Sequence, residues 1–295
     1  MAVRIVTDST CDLPAEIAAE HGIIVVPTCI NIDDRSYLDG VEITREEFYD
    51  WLPTLTPAPT TAAPGIGVFL QAFEQAASEG ATGIVSVHPP AELSSLYSVA
   101  ELAAKEMRDL PIAVVDCRQV TLGMGSVVLA AARMAAMGRP VDEIAAALPD
   151  VIRRTYVFGV LDTLEYLRRG GRASRLQSGL SALLQIKPVF TVYDGHITFE
   201  RVRTRSAATA RLVTLVEELG PLEALSVAHT HAPGRAAALT EMGRHLFPDG
   251  QPTMCVEVTP VLGVHFGPGA FGFLAVKRET SNVKRQERGL FTFDV

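Results

Sequence analysis

Cysteine is scarce in this chain: four residues in 295, at positions 11, 29, 117 and 255. They lie far apart. None of the pairs has the spacing of a zinc site or of a small disulfide framework, so a reduced protein without a thiolate metal centre is expected. Long hydrophobic runs are missing too. The apolar stretch from Ser126 to Met137 is interrupted by Arg133, short of the roughly 18–20 clean apolar residues of a spanning helix. The chain passes from Met1 straight into a strand-like Val3-Arg4-Ile5-Val6, which leaves no room for a secretory leader, and a cytoplasmic location is the expectation. An excess of positive charge is also lacking. The net charge of −8 argues against nucleic acid as a partner, because phosphate binding needs a broad basic face.

What is present is a hydrophobic content of 48%, which excludes a disordered chain, and a length that suits two domains of ordinary size. Strand and helix patterns alternate through the first half. Strands are predicted near 3–7, 23–32, 82–88 and 112–116. Helices are predicted near 14–21, from Thr44 to Trp51, and at 65–78, 94–108, 123–137 and 141–153. Residues 53–64, rich in proline and threonine, read as an ordered loop or short linker. Such alternation implies a mainly parallel, doubly wound sheet. From Tyr156 the rhythm changes. Strands at 186–193 and 196–203 flank Asp194-Gly195, a strong hairpin signal. A helix at 205–219, a strand at 223–229, a helix at 233–246 and strands near 253–259 and 271–277 follow. The fold class is therefore α/β in two domains: residues 1–155 with the parallel sheet, and 156–280 with a mixed sheet. Residues 281–295 form a tail, docked or disordered.

Several enzymatic motifs fail on inspection. Gly267-Pro268-Gly269-Ala270-Phe271-Gly272 matches the dinucleotide pattern by letter, but it leads into a strand rather than a helix. No phosphate-binding loop and no nucleophile elbow occurs. His229-Thr230-His231 would put two imidazoles on one face of a strand, too few for a metal site without further ligands. Asp8 and Asp12 read as caps of a strand-to-helix turn rather than as metal ligands. No cofactor and no metal is expected.

The remaining signals are of three kinds. The segment Asp162 to Arg172 reads as a short helix with a capping residue at its start, Gly170-Gly171 at its end and an arginine just beyond. Residues 168–205 carry eight basic side chains against Asp194 and Glu200; this is either a solvated polar face or a surface for a phosphate or an acidic partner. Hydroxyl-bearing turns occur at Thr7-Asp8-Ser9-Thr10, Thr60-Thr61 and Leu93-Ser94-Ser95. In a parallel sheet such turns gather at the strand carboxyl ends, where hydroxyls and free N–H groups hold anions. Without paired carboxylates or a base beside a nucleophile, binding is the better reading than catalysis.

With these pieces in order, the chain resembles the DegV family of bacterial fatty-acid-binding proteins. The matching segments are Val6 to Leu13, Pro59-Thr60-Thr61, Leu93-Ser94 with Tyr97, and Gly123-Met124-Gly125. Asp162 to Arg172, Arg201 to Arg205, and His265 before Gly267-Pro268-Gly269 complete the set. The resemblance implies two α/β domains with an acyl chain in a tunnel between them. It further implies a carrier without chemistry of its own, which presents a long-chain fatty acid to a separate fatty-acid kinase subunit. By position, Thr61, Ser94 and the Ser95 N–H would hold the carboxylate. His265 and Arg172 would belong to the head-group network, and Arg203 and Arg205 would face the kinase. Transient contact with a membrane surface is compatible with such a carrier. The chain departs from the family pattern at Ala62 and Ala63, in place of serine and glutamine, and at Ser95 and Leu96, in place of glycine and threonine. The alternative is an enzyme acting on a small acidic metabolite at the same site, with His265 as its one good titrating group.

Overall fold

The computed structural model describes residues 3–172, 187–250 and 252–279; the expected tail at 281–295, and Arg175 of the basic run, lie outside them. The first half opens with β1 (Val3–Asp8), α1 (Ala15–Glu20) and β2 (Ile24–Val26). Next come β3 (Cys29–Ile32), β4 (Arg35–Leu38), α2 (Arg45–Trp51) and β5 (Thr60–Ala62). α3 (Ile66–Ser78), β6 (Gly83–His88), α4 (Leu96–Glu106) and β7 (Ile112–Asp116) return the chain to the first sheet. Two long helices, α5 (Thr121–Ala136) and α6 (Val141–Arg154), close this half. The second half runs β8 (Thr155–Val160), α7 (Glu165–Arg169), β9 (Lys187–Tyr193), β10 (His196–Val202) and α8 (Arg205–Glu217). It ends with β11 (Leu222–His229), α9 (Pro233–Met242), β12 (Cys255–Glu257), α10 (Pro260–Phe266) and β13 (Phe271–Lys277).

The architecture is α/β with two principal sheets. The first, in the order β2-β1-β6-β7, is parallel throughout. Its central strands are buried on both faces, β6 along its whole length, as a sheet covered by helices on both sides requires. The second, β10-β9-β8-β13-β11-β12, is mixed: only β11 and β12 pair in parallel. The hairpin at Asp194-Gly195 is present, both residues having positive φ, as a two-residue turn between twisted strands demands.

Five sequence expectations change. The strand expected over 23–32 is two strands in different sheets. Pro27 stands between them, and without an N–H it cannot continue a ladder. β3 instead pairs with β4 and β5 in a small antiparallel sheet, so the stretch 53–64 holds a strand as well as a loop. The helix expected over 233–246 stops at Met242, and the strand near 253–259 shortens to Cys255–Glu257. His231 lies past the end of β11 at φ 48°, so the two histidines do not share a strand face.

α5 and α6 join the halves. α6 is amphipathic, burying Ile144, Leu148, Val151 and Ile152, with Asp142 and Glu143 in its first turn and Arg153 and Arg154 in its last. That charge order suits the helix dipole. α5 is buried nearly all round because it packs on β1 and β6 on one side and on β8 and β13 on the other. Two glycines permit this. A Cβ at Gly125 would stand 2.7 Å from the Cys11 carbonyl oxygen, and one at Gly123 would stand 2.6 Å from Cγ2 of Val157. Residues from both halves therefore share one continuous hydrophobic core.

Candidate functional site

In the parallel sheet the chain leaves β1 towards β2 on one side and towards β6 on the other, so the strand order reverses between β1 and β6. A crevice opens at the carboxyl ends of strands at such a point. Here it is a cavity of about 370 Å³, within the range of small-ligand sites, between that sheet edge and the second sheet. Thr10, Thr28, Thr61, Ser94, Ser95, Arg172 and His265 supply its polar wall. Aliphatic and aromatic side chains from both halves, among them Leu96, Leu161, Phe190, Ile197 and Phe266, supply the rest.

The polar groups are not equivalent. Thr10 Oγ1 donates to Asp8 at 2.5 Å. Thr28 Oγ1 lies 2.7 Å from Ser9 Oγ and 3.4 Å from Asp39, so it belongs to a buried network. Ser94 Oγ accepts the Leu96 N–H at 3.3 Å, which leaves its own proton to donate. Ser95 occupies the N-cap position of α4 without a side-chain capping bond, and the amino end of that helix forms part of the cavity wall. Thr61, on β5, lies 3.1 Å from His265 Nε2. The bond joins the small sheet to α10, 204 residues on.

His265 is buried, and burial together with the neighbouring Arg172 guanidinium pushes its pKa down to about 3. It is a neutral imidazole at physiological pH, its Nδ1 buried without a partner among the described residues. Gly170 explains how the ring fits: a Cβ there would stand 2.2 Å from that nitrogen. Arg172 donates to the Gly170 carbonyl at 2.7 Å. The two-glycine stop of α7 thus packs against the histidine and delivers the arginine to the cavity. Within the same segment Thr163 accepts the Glu165 N–H at 3.1 Å, while Asp162 does not cap. It meets Lys187 at 2.8 Å, Arg205 at 3.2 Å and Arg235 at 3.4 Å. Burial raises the Asp162 pKa and these cations lower it, with a net downward shift.

The structure therefore brings Thr61, Ser94, Ser95, His265 and Arg172 to one cavity and leaves Arg203 and Arg205 outside it. Arg203 is exposed and makes no ion pair among the described residues. Sequence reasoning did not find α10, although Thr259-Pro260 ahead of an apolar run and Gly267 after it are ordinary start and stop signals. It also missed the part played by Asp12. Asp12 does close the turn after β1, in the left-handed conformation with its N–H donating to the Ser9 carbonyl. Its carboxylate in addition accepts from Thr121 at 2.5 Å and from the Thr259 N–H at 2.6 Å. Asp39 receives the Thr259 hydroxyl at 2.6 Å and Ser9 at 2.6 Å. The first turn of α10 is thereby held by two carboxylates of the first half. Asp8 does cap its turn, accepting the Thr10 N–H at 3.0 Å. It also meets His88 Nδ1 at 2.7 Å, and His88 Nε2 lies 2.7 Å from Ser86. This serine–histidine–aspartate order is fully buried and does not line the cavity.

Comparison with known proteins agrees with this architecture. Residues 2–278 match the family model described as "Uncharacterised protein, DegV family". The chain belongs to the DegV family. A DegV domain-containing protein of Streptomyces coelicolor is 37% identical over 280 residues, covering 94% of this chain and 99% of its own. Among solved structures, a DegV family protein from Thermus thermophilus, described as fatty acid binding, superimposes with a TM-score of 0.84 at 30% identity. The match covers 94% of this chain and all of that one. DegV of Bacillus subtilis, described as a fatty acid binding protein, gives 0.84 at 26% identity over 94% of this chain and 100% of its own. Among the described residues, no helix is long and apolar enough to cross a membrane.

Proposed function

We propose that this DegV protein binds a long-chain fatty acid non-covalently, with the carboxylate at Thr61 and Ser94 and the acyl chain in the apolar cavity. The observation that carries the reading is one cavity with hydroxyl donors on one wall and aliphatic and aromatic side chains on the others. The description of the Thermus and Bacillus relatives as fatty acid binding supports it. The tautomer of His265 gives the head group its direction. An Nε2–H donating to Thr61 Oγ1 leaves only a lone pair at buried Nδ1, which costs less than an orphaned N–H. Thr61 then has its own proton to give, as Ser94 does, and the Ser95 N–H at the amino end of α4 favours negative charge. Arg172 adds a positive charge beside a carboxylate that would otherwise be costly to desolvate.

The acyl chain supplies most of the affinity. Burying about fourteen methylenes at about 0.8 kcal/mol each is roughly 11 kcal/mol gross, less the cost of ordering the chain. The head-group contacts decide orientation and chemical class. Catalysis by His265 is disfavoured, since a base with a pKa of about 3 is poorly matched to proton transfer near neutral pH. The protein acts as a carrier, and the separate acyl kinase that would phosphorylate the carboxylate docks on the basic face outside the cavity, where Arg203 and Arg205 lie. Native mass spectrometry of the protein purified from a bacterial host tests the binding. Retained fatty acid of long chain length is expected; an empty protein that also fails to take up added palmitate refutes the reading.

A further inference from the structure

Behind the main cavity lies a second, smaller void of about 30 Å³. Among the described residues, Phe190 and Phe266 alone contribute to the walls of both spaces. Their ring centroids are 5.8 Å apart at 31°. Phe190 sits opposite Gly159 in the β8–β9 ladder, and its ring occupies the space a side chain there would need: a Cβ at Gly159 would be 2.4 Å from the ring. The far side of the void is formed in part by Ala228, Ala270 and Gly272. Its polar neighbours are Thr121, Thr230 and His229, and both hydroxyls are already engaged. Thr121 donates to Asp12, Thr230 to the Gly267 carbonyl, and His229 Nδ1 accepts the Ala232 N–H. Apart from these three residues the walls are aliphatic, aromatic or glycine, and such a lining suits a hydrocarbon better than water.

We propose that the Phe190–Phe266 pair is the partition that sets the length of acyl chain this protein accepts, and that the void behind it is the unused continuation of the acyl site. The inference rests on the fatty-acid reading and adds the residues that measure the chain. With both rings in place the second space is closed to the acyl chain. Trimming Phe190 joins the two spaces, and chains longer by two carbons gain a place for them. Gly159 makes the device sensitive in the other direction, because a methyl there drives the Phe190 ring towards the cavity and shortens it.

The test offers the delipidated full-length protein an equimolar mixture of saturated fatty acids that differ by two carbons and reads the bound species by native mass spectrometry. Wild type, Phe190→Ala, Phe190→Leu and Gly159→Ala are compared, with circular dichroism to verify folding. In the Phe190 variants the bound ratio of longer to shorter chain rises, by up to about tenfold if both extra methylenes are buried. In Gly159→Ala it falls. Adding Ala228→Leu to Phe190→Ala refills the void and returns the ratio towards that of wild type. Folded Phe190→Leu protein that holds the same chain lengths as wild type overturns the partition while leaving fatty-acid binding intact. A wild type that binds none of the mixture overturns both.

Discussion

A hydroxyl that already accepts one hydrogen bond has its proton left to give, and this distinguishes Ser94 and Thr61 from Thr10 and Thr28. The Thr10 and Thr28 hydroxyls serve Asp8 and Asp39. The Ser94 and Thr61 hydroxyls remain for a ligand. Thr61→Val and Ser94→Ala each remove one donor to a charged carboxylate, and each is expected to weaken palmitate binding by roughly 10–100-fold in a titration. Thr10→Val, which has no free proton to lose, tests the distinction: an equal loss of affinity there would refute it. His265 should stay neutral. Nuclear magnetic resonance of its ring from pH 8 down to pH 5 is expected to show no titration, since its pKa lies at about 3; a midpoint near 6.5 would contradict the buried setting. Gly170→Ala drives a methyl against the same ring and is expected to cost about 1–3 kcal/mol in denaturant unfolding, as overpacking does.

At the scale of elements, α10 carries the histidine while residues of the first half hold its start. Thr259 is fixed through its N–H by Asp12 and through its hydroxyl by Asp39. Burial raises the pKa of Asp12 from 3.8 to about 7 and also raises that of Asp39. Between those two values for Asp12 the folded protein keeps a proton that the unfolded chain has released. Stability therefore falls as pH rises through that window. In Asp12→Asn this contribution is absent, so melting temperatures of variant and wild type should shift relative to each other in the variant's favour between pH 4 and pH 7. An unchanged difference across the window would contradict the assignment. None of this was legible from the sequence, because the contacts join residues more than 200 apart. The long elements were legible: α3, α4, α6 and α8 follow apolar stripes, α5 follows a run that is apolar on nearly every side, and the β9–β10 hairpin follows its turn. The short strands β4 and β5 were not, since they form only against β3, and β8 passed unnoticed between two stronger patterns. Thr61, Ser94 and His265 could be named from matching segments, but their convergence needed the packing of α10 on β5.

At the scale of the molecule the cavity lies between two sheets that share a helix layer, so a ligand touching both halves stabilises both. At a free concentration one hundred times its Kd, a fatty acid adds about 2.7 kcal/mol to the stability. Loaded protein is expected to melt roughly 5 °C above delipidated protein in calorimetry, in one transition rather than two. Separate melting of the halves would contradict the shared core. The close contacts at Gly123 and Gly125 bear on how such a protein can change over evolutionary time. α5 touches Cys11 of one half and Val157 of the other with no side chain between them, so neither half has a boundary surface of its own to exchange. Recombination within the family should therefore yield folded chimeras when the crossover carries α5 together with the strands on both its sides. Crossovers that separate α5 from either partner should fail, however similar the exchanged halves are in fold.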